Sequence, residues 1–294
     1  MEPERLVRDL ENIPLSYSSI REIIQVVHRN KIARLSLRDS QLVRASKIFD
    51  ALELSYFLSD RKYLSLEDRG KGGFSNSFSG TVDVDVPIGD FLVYIGRDQK
   101  RVAEAKFAEA SGNNALLGQY FGYPECCIRA FATAEIEAAS LQNDFTLPIL
   151  KNSTLQVSSD PLSIHLPQYF GYGLFSHFPC STNCSYTSSI SLEALYILTQ
   201  IDERLADRFR RYQFASYLYT EFDGIYVFFD ATYSKNDLWF YDSRQIEMST
   251  SGLLAENLTR GNQIAVTSPS SFTILRDGTA ITSVESENVY LFLQ

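Results

Sequence analysis

Apolar residues in the first hundred positions recur at two spacings. Ile20, Ile23, Ile24 and Val27 fall three and four apart, the interval of one helix face, and Ser19 with Glu22 reads as its capping box. A short strand is expected over 32–37. Asp39 reads as the cap of a second helix, with Leu42, Ala45, Phe49 and Leu52 on one face, and Tyr56-Phe57-Leu58 as a strand. Residues 69–81 (RGKGGFSNSFSGT) have the Gly and Ser content of a mobile loop. Val82, Val84 and Val86 alternate with Asp83 and Asp85, the pattern of a half-buried strand that Pro87 ends. The unbroken run 91–95 predicts a more deeply buried strand. Asp98 then caps a helix that stops at Gly112.

From 113 to about 213 the helical period dominates. Asn114 reads as the cap of a short helix, and Pro124 as the opening of another that runs from Glu125 to Ala139. Asn, Ser, Pro and Asp mark 141–168 as a loop. A long helix is expected from Cys184 to about Tyr212, with Leu195, Leu198, Ile201, Leu205 and Phe209 as its core stripe. Beyond Tyr212 the period falls to two residues. Strands are expected over 225–229, 238–241, 263–267, 272–275, 279–282 and 289–293, and Asp277-Gly278 is a hairpin signal. The fold class is therefore α+β: a mixed α/β segment over 1–112, a helical segment over 113–215, and a small β-barrel or sandwich over 216–294.

Composition narrows the function. The chain has 294 residues and a formal net charge of −9, and its basic residues are dispersed, so a nucleic-acid backbone is not an expected partner. The cluster Arg208, Arg210 and Arg211 reads as a solvated helix face. No apolar run approaches the ~20 residues of a membrane span, and the acidic start Met1-Glu2-Pro3-Glu4 is not a secretory signal. A cytoplasmic location without membrane association is the expectation. Gly70-Lys71-Gly72-Gly73 lacks the ending of a phosphate loop, and Gly96 lacks the companion glycines of a dinucleotide site. Asp83 and Asp85 read as a polar strand face and His28 as structural. His165, before Pro167, is within reach of the middle segment's chemistry. Neither a G-x-S-x-G elbow nor an H-E-x-x-H helix is present.

The chemistry lies in the cysteines. All four fall in two stretches: Cys126 and Cys127 after Gly122-Tyr123-Pro124-Glu125, and Cys180 and Cys184 after His177-Phe178-Pro179. The string QYFGY precedes each, at 119–123 and 168–172. Pro124 places the first pair in the opening turn of a helix, and Cys184 sits just before another. Unpaired N–H groups at helix starts stabilise thiolates, so convergence of the two stretches is expected to build one site. Cys126, Cys127, Cys180 and Cys184 with His177 match the donors of an iron–sulfur cluster or of zinc. Neighbouring cysteines aim in different directions on a helix. For zinc, the expected set is therefore one of Cys126 and Cys127 with His177, Cys180 and Cys184. For a cluster, both can reach different corners. Without metal, Cys126 or Cys127 would be a nucleophile and His177 its base.

The G-Y-P-x-C-C element at 122–127 and the H-x-P-C-x-x-x-C element at 177–184 resemble an uncharacterised prokaryotic family. The resemblance covers 114–190, about a quarter of the chain, and implies a shared site without a particular reaction. Two functions follow as expectations. The first is a metalloenzyme, acting on a small-molecule or carrier-bound substrate. The second is a non-catalytic protein, with a structural zinc and a partner-binding β-segment.

Overall fold

The computed structural model describes residues 3–65, 78–140, 145–151, 160–234, 238–268, 271–285 and 289–292. Its first layer is an antiparallel sheet between two helical layers. Helices α1 (Pro3–Glu11), α2 (Tyr17–Arg29) and α3 (Asp39–Ala51) alternate with strands β1 (Ala33–Leu37), β2 (Ser55–Ser65), β3 (Phe78–Val82) and β4 (Asp90–Gly96), in sheet order β1-β4-β2-β3. Phe91, Val93 and Ile95 of β4 pack with α1 to α3, while Leu92 and Tyr94 face α4 (Gln99–Ala110) and α5 (Asn114–Tyr120). A strand covered on both faces must be apolar throughout, which is why 91–95 reads as an unbroken run.

Several caps differ from expectation. Ser16, not Ser19, caps α2, with its hydroxyl accepting from the Ser19 N–H at 3.1 Å. Glu22 is unavailable for a capping box because it turns inward onto Lys31, 2.6 Å away. Asp39 is the first residue of α3, with its carboxylate taking the Lys62 ammonium at 2.7 Å. Asn113, one residue before Asn114, caps α5. The strand expected at Val82–Val86 ends at Val82: the Val86 N–H returns to Asp83 O at 3.1 Å, closing a turn. Most of the Gly/Ser stretch 69–81 lies outside the described residues, but its last residues belong to β3.

The middle segment carries α6 (Glu125–Ser140), α7 (Thr146–Lys151), single 3-10 turns at Pro161–Ser163 and Leu166–Phe170, α8 (Ser185–Ile201) and α9 (Glu203–Gln213). Of the expected loop 141–168, residues 141–144 and 152–159 lie outside the described residues and the rest is partly helical, and the expected long helix is two. Asp202 breaks it with φ −156° and ψ 108°, and its carboxylate caps α9 by accepting from the Leu205 N–H at 3.0 Å. Leu195 to Phe209 remain one buried stripe, and it packs into the same core as α1, α2, β1 and β4. The packing therefore runs across position 112.

The last segment is two antiparallel sheets. One has the order β13-β5-β6-β9, from β5 (Ser216–Thr220), β6 (Gly224–Phe228), β9 (Ile246–Met248) and β13 (Val289–Phe292). The other has the order β12-β11-β10-β8-β7, from β7 (Thr232–Ser234), β8 (Leu238–Phe240), β10 (Gln263–Ser268), β11 (Ser271–Arg276) and β12 (Thr279–Glu285). Leu218, Tyr226 and Phe228 meet Trp239, Ile264 and Phe272 across the interior, with α10 (Leu253–Arg260) closing one side. Tyr217, Tyr219, Ile225 and Val227 point the other way, onto Leu147, Leu150, Ile164 and Leu166. Asp277 (φ 51°) and Gly278 (φ 81°) form the expected hairpin between β11 and β12.

Candidate metal centre

The repeated string makes the same turn twice. Gly122 (φ 72°) donates to Gln119 O at 3.0 Å, and Tyr123 donates to Gly118 O at 2.9 Å. Gly171 (φ 81°) donates to Gln168 O at 2.9 Å, and Tyr172 to Pro167 O at 3.0 Å. Both are Schellman-type endings, in which a left-handed glycine lets the chain turn away from a helix. After the first, Pro124 starts α6 at once, and its carbonyl accepts from Cys127 and Ile128. After the second, the chain runs to Cys180 and Cys184. The 178–184 loop is held by Ser163, whose hydroxyl donates to Thr182 O, and by Asn183, which accepts from the Asp160 N–H at 2.7 Å.

The four thiols converge. Cys126 Sγ lies 3.8 Å from Cys127 Sγ and 3.8 Å from Cys184 Sγ, and Cys127 Sγ lies 3.6 Å from Cys184 Sγ. With Cys180 included, all four sulfurs lie within 4.8 Å of one another, a group able to hold a metal ion. All four are free cysteines; Cys127 and Cys184 are buried, and Cys126 and Cys180 half-buried. The expected convergence of all four cysteines is found, and the adjacent pair, of which the zinc alternative used only one, contributes both sulfurs to the group. Side chains lean toward the start of their helix, so in the first turn of α6 both overhang the same end. Cys184 occupies the N-cap position of α8, so two helix starts face the site.

His177 stands outside this group of four. It is buried, and its Nε2 lies 2.9 Å from Thr187 Oγ1, which in turn lies 3.6 Å from Cys127 Sγ. The ring packs between Tyr123, 5.1 Å away, and Phe175, 5.0 Å away. Burial, reinforced by the positive charges of Lys31 and Arg21, depresses its pKa to about 3. A neutral imidazole donating from Nε2 to Thr187, whose hydroxyl donates to sulfur, satisfies all three groups. So basic strength is low, and the ring's geometry suits orienting a ligand better than accepting a proton. His165 is likewise buried, 2.8 Å from Thr146 Oγ1 and edge-on to Phe178, away from the thiol group. His28 lies on the exposed face of α2.

The thiols differ in proton affinity. Burial raises Cys127 well above the ordinary thiol range and, with the neighbouring Cys184 thiol, lifts Cys180 to about 11. Burial also acts to raise Cys184, but hydrogen bonds from Thr187 and from the Cys180 and Cys127 thiols outweigh it and bring this thiol to about 7. Thr187 was not visible as a site residue in the sequence. Its signal was there: it follows the N-cap Cys184 by three residues, the spacing at which a side chain reaches back to the cap.

Two cavities are lined by His177, and the smaller also reaches the thiols. One, of about 160 Å³, is lined by Cys127, Phe131, Phe178, His177, Phe121 and Arg34. The second, of about 310 Å³, lies across the Tyr123 and His177 side chains from the first. Among the described residues no helix is long and apolar enough to cross a membrane. Comparison with family models, with curated proteins and with solved structures finds no match.

Proposed function

We propose that this chain is a metalloprotein whose four thiolates, Cys126, Cys127, Cys180 and Cys184, bind one zinc ion in a closed, structural site. The observation that carries the reading is the sulfur spacing. A tetrahedron of thiolates ~2.3 Å from a central ion has edges of about 3.8 Å; the sulfurs of Cys126, Cys127 and Cys184 stand 3.6, 3.8 and 3.8 Å apart, and Cys180 Sγ lies within 4.8 Å of each. An iron–sulfur cluster distributes its thiolates over several irons and holds them farther apart, so the spacing favours a single ion. Four protein ligands leave no open position for substrate, which is the mark of a structural zinc rather than a catalytic one. Such an ion would tie the start of α6, the 178–184 loop and the start of α8 together, and with them the wall of the smaller cavity that Cys127, Ile128 and Phe178 form. On this reading the metal centre shapes a small-molecule binding region, and a reducing cytoplasm, where thiols persist, is its setting.

Elemental analysis of protein purified without oxygen tests the proposal. The expected result is about one zinc per chain, colourless protein, and loss of that zinc in both Cys127→Ser and Cys184→Ser, with melting lowered by several degrees. Brown protein containing iron and acid-labile sulfide would overturn it. So would metal-free protein that melts at the same temperature as the untreated preparation.

A further inference from the structure

The larger cavity has an excess of donors. Arg21 is only 1% exposed, and its Nη2 donates to Ser176 Oγ at 2.7 Å and to Glu22 Oε1 at 2.9 Å. Its Nε and Nη1 have no hydrogen-bond partner, and neither does the buried Nε2 of Gln25 one turn along α2. Lys31 spends two of its hydrogens on Glu22 Oε2 and Gln25 Oε1, each 2.6 Å away. Glu22 is already used at both oxygens, since Ser176 also donates to Oε1. Arg29, on the same rim, pairs with Glu193. Leaving buried donors of a charged group without an acceptor is costly, and such gaps are rare in folded proteins.

The residues that carry these donors line one space. Arg21, Gln25, Arg29 and Lys31 share a cavity of about 310 Å³ with Tyr123 and Phe175. The volume exceeds what a single water needs and lies at the lower end of small-molecule pockets. We propose that this cavity is a binding site for a small organic anion. Its carboxylate or phosphate would be received by Arg21, Gln25 and Lys31, and its apolar body would lie against Tyr123 and Phe175. Guanidinium and ammonium donors on one wall and aromatic carbon on the other define that ligand class. The electrostatics agree. Burial is the largest influence on Arg21 and lowers its pKa despite Glu22, so the cationic charge is under-compensated as the chain stands. This inference goes beyond the metal centre and does not depend on which metal is bound.

Inorganic phosphate and benzoate are suitable probes, titrated into the full chain by calorimetry and by saturation-transfer NMR of benzoate, with zinc content measured on every sample. Saturable benzoate binding with Kd on the order of 1 mM is expected, displaced by phosphate and weakened by added salt. Arg21→Met should weaken it at least tenfold and Gln25→Leu about threefold, with zinc per chain unchanged. Gln25→Leu removes an amide whose Nε2 has no partner, and it decides the question if Arg21→Met does not fold. The proposal is overturned if wild-type protein shows no saturable uptake of either probe. It is also overturned if Gln25→Leu, or a folded Arg21→Met, binds both probes as tightly as wild type. Because zinc is read separately, failure here leaves the metal reading standing, and the reverse also holds.

Discussion

The hydroxyl of Thr187 sits between His177 Nε2, 2.9 Å away, and Cys127 Sγ, 3.6 Å away. Outer hydrogen bonds of this kind orient ligands, and losing them costs roughly 10- to 100-fold in metal affinity. Thr187→Val keeps the shape and removes the hydroxyl. It should therefore retain one metal per chain while releasing it at least tenfold more readily to a competing chelator. Equal retention would mean that the His177–Thr187 pair is packing alone. At this scale much was readable in the chain. Cysteine, proline and glycine each have a local chemistry, so Pro124 opening a helix and four thiols meeting followed from residue type. What residue type does not carry is direction. His177 stands three residues from Cys180, yet its ring turns to Thr187, between Tyr123 and Phe175. Cys126 and Cys127 were expected at one site but as awkward joint ligands of a single ion, and the lean of side chains in a first helical turn brings both sulfurs to the same end.

Between α8 and α9 a single residue separates two helices along one continuous apolar stripe. Asp202 leaves helical geometry and caps α9 through Leu205 N–H. Replacing it with Ala should cost about 1 kcal/mol in denaturant unfolding without altering metal content, because α8 keeps Cys184 at its start. A cost below a few tenths would show that the cap is idle. The break was hidden because Leu195, Leu198, Ile201, Leu205 and Phe209 keep helical spacing across it, and periodicity reports the buried face, not the hydrogen bonds. β5 escaped for a related reason. Ser216–Thr220 is buried on both faces, so no alternation marks it, and it begins almost directly after α9. α10 lies behind a Ser/Thr/Gly stretch that resembles a turn, and Gly252 occupies its cap position without a side-chain bond. The 263–267, 272–275 and 279–282 runs, by contrast, show their strands because one face of the outer sheet stays open.

The sheet β13-β5-β6-β9 is the middle layer of the molecule, with the helical segment on one side and the second sheet on the other. Its two-sided burial makes β13 costly to lose: Val289 and Leu291 are buried, and β5 would be left as an unpaired edge. Deletion of residues 289–294 should thus give protein that elutes as aggregates in size-exclusion chromatography, whereas a monomeric truncation with unchanged melting would refute this role. The α+β class and the switch of period after Tyr212 were legible from the chain. The shared core of α8 and α9 with the first sheet was not, because packing between distant segments leaves no local pattern. The register also has a consequence for synthesis. Thr220 pairs with Val289, so β5 must wait for its neighbour while the intervening chain is translated, on the order of ten seconds at usual rates. The cysteine stretches and both helix starts emerge well before that. A nascent chain can therefore close its thiol site while the tyrosine-rich face of β5 and β6 is still short of a partner strand. This ordering makes the interval before β13 appears the stage at which the chain most needs a chaperone.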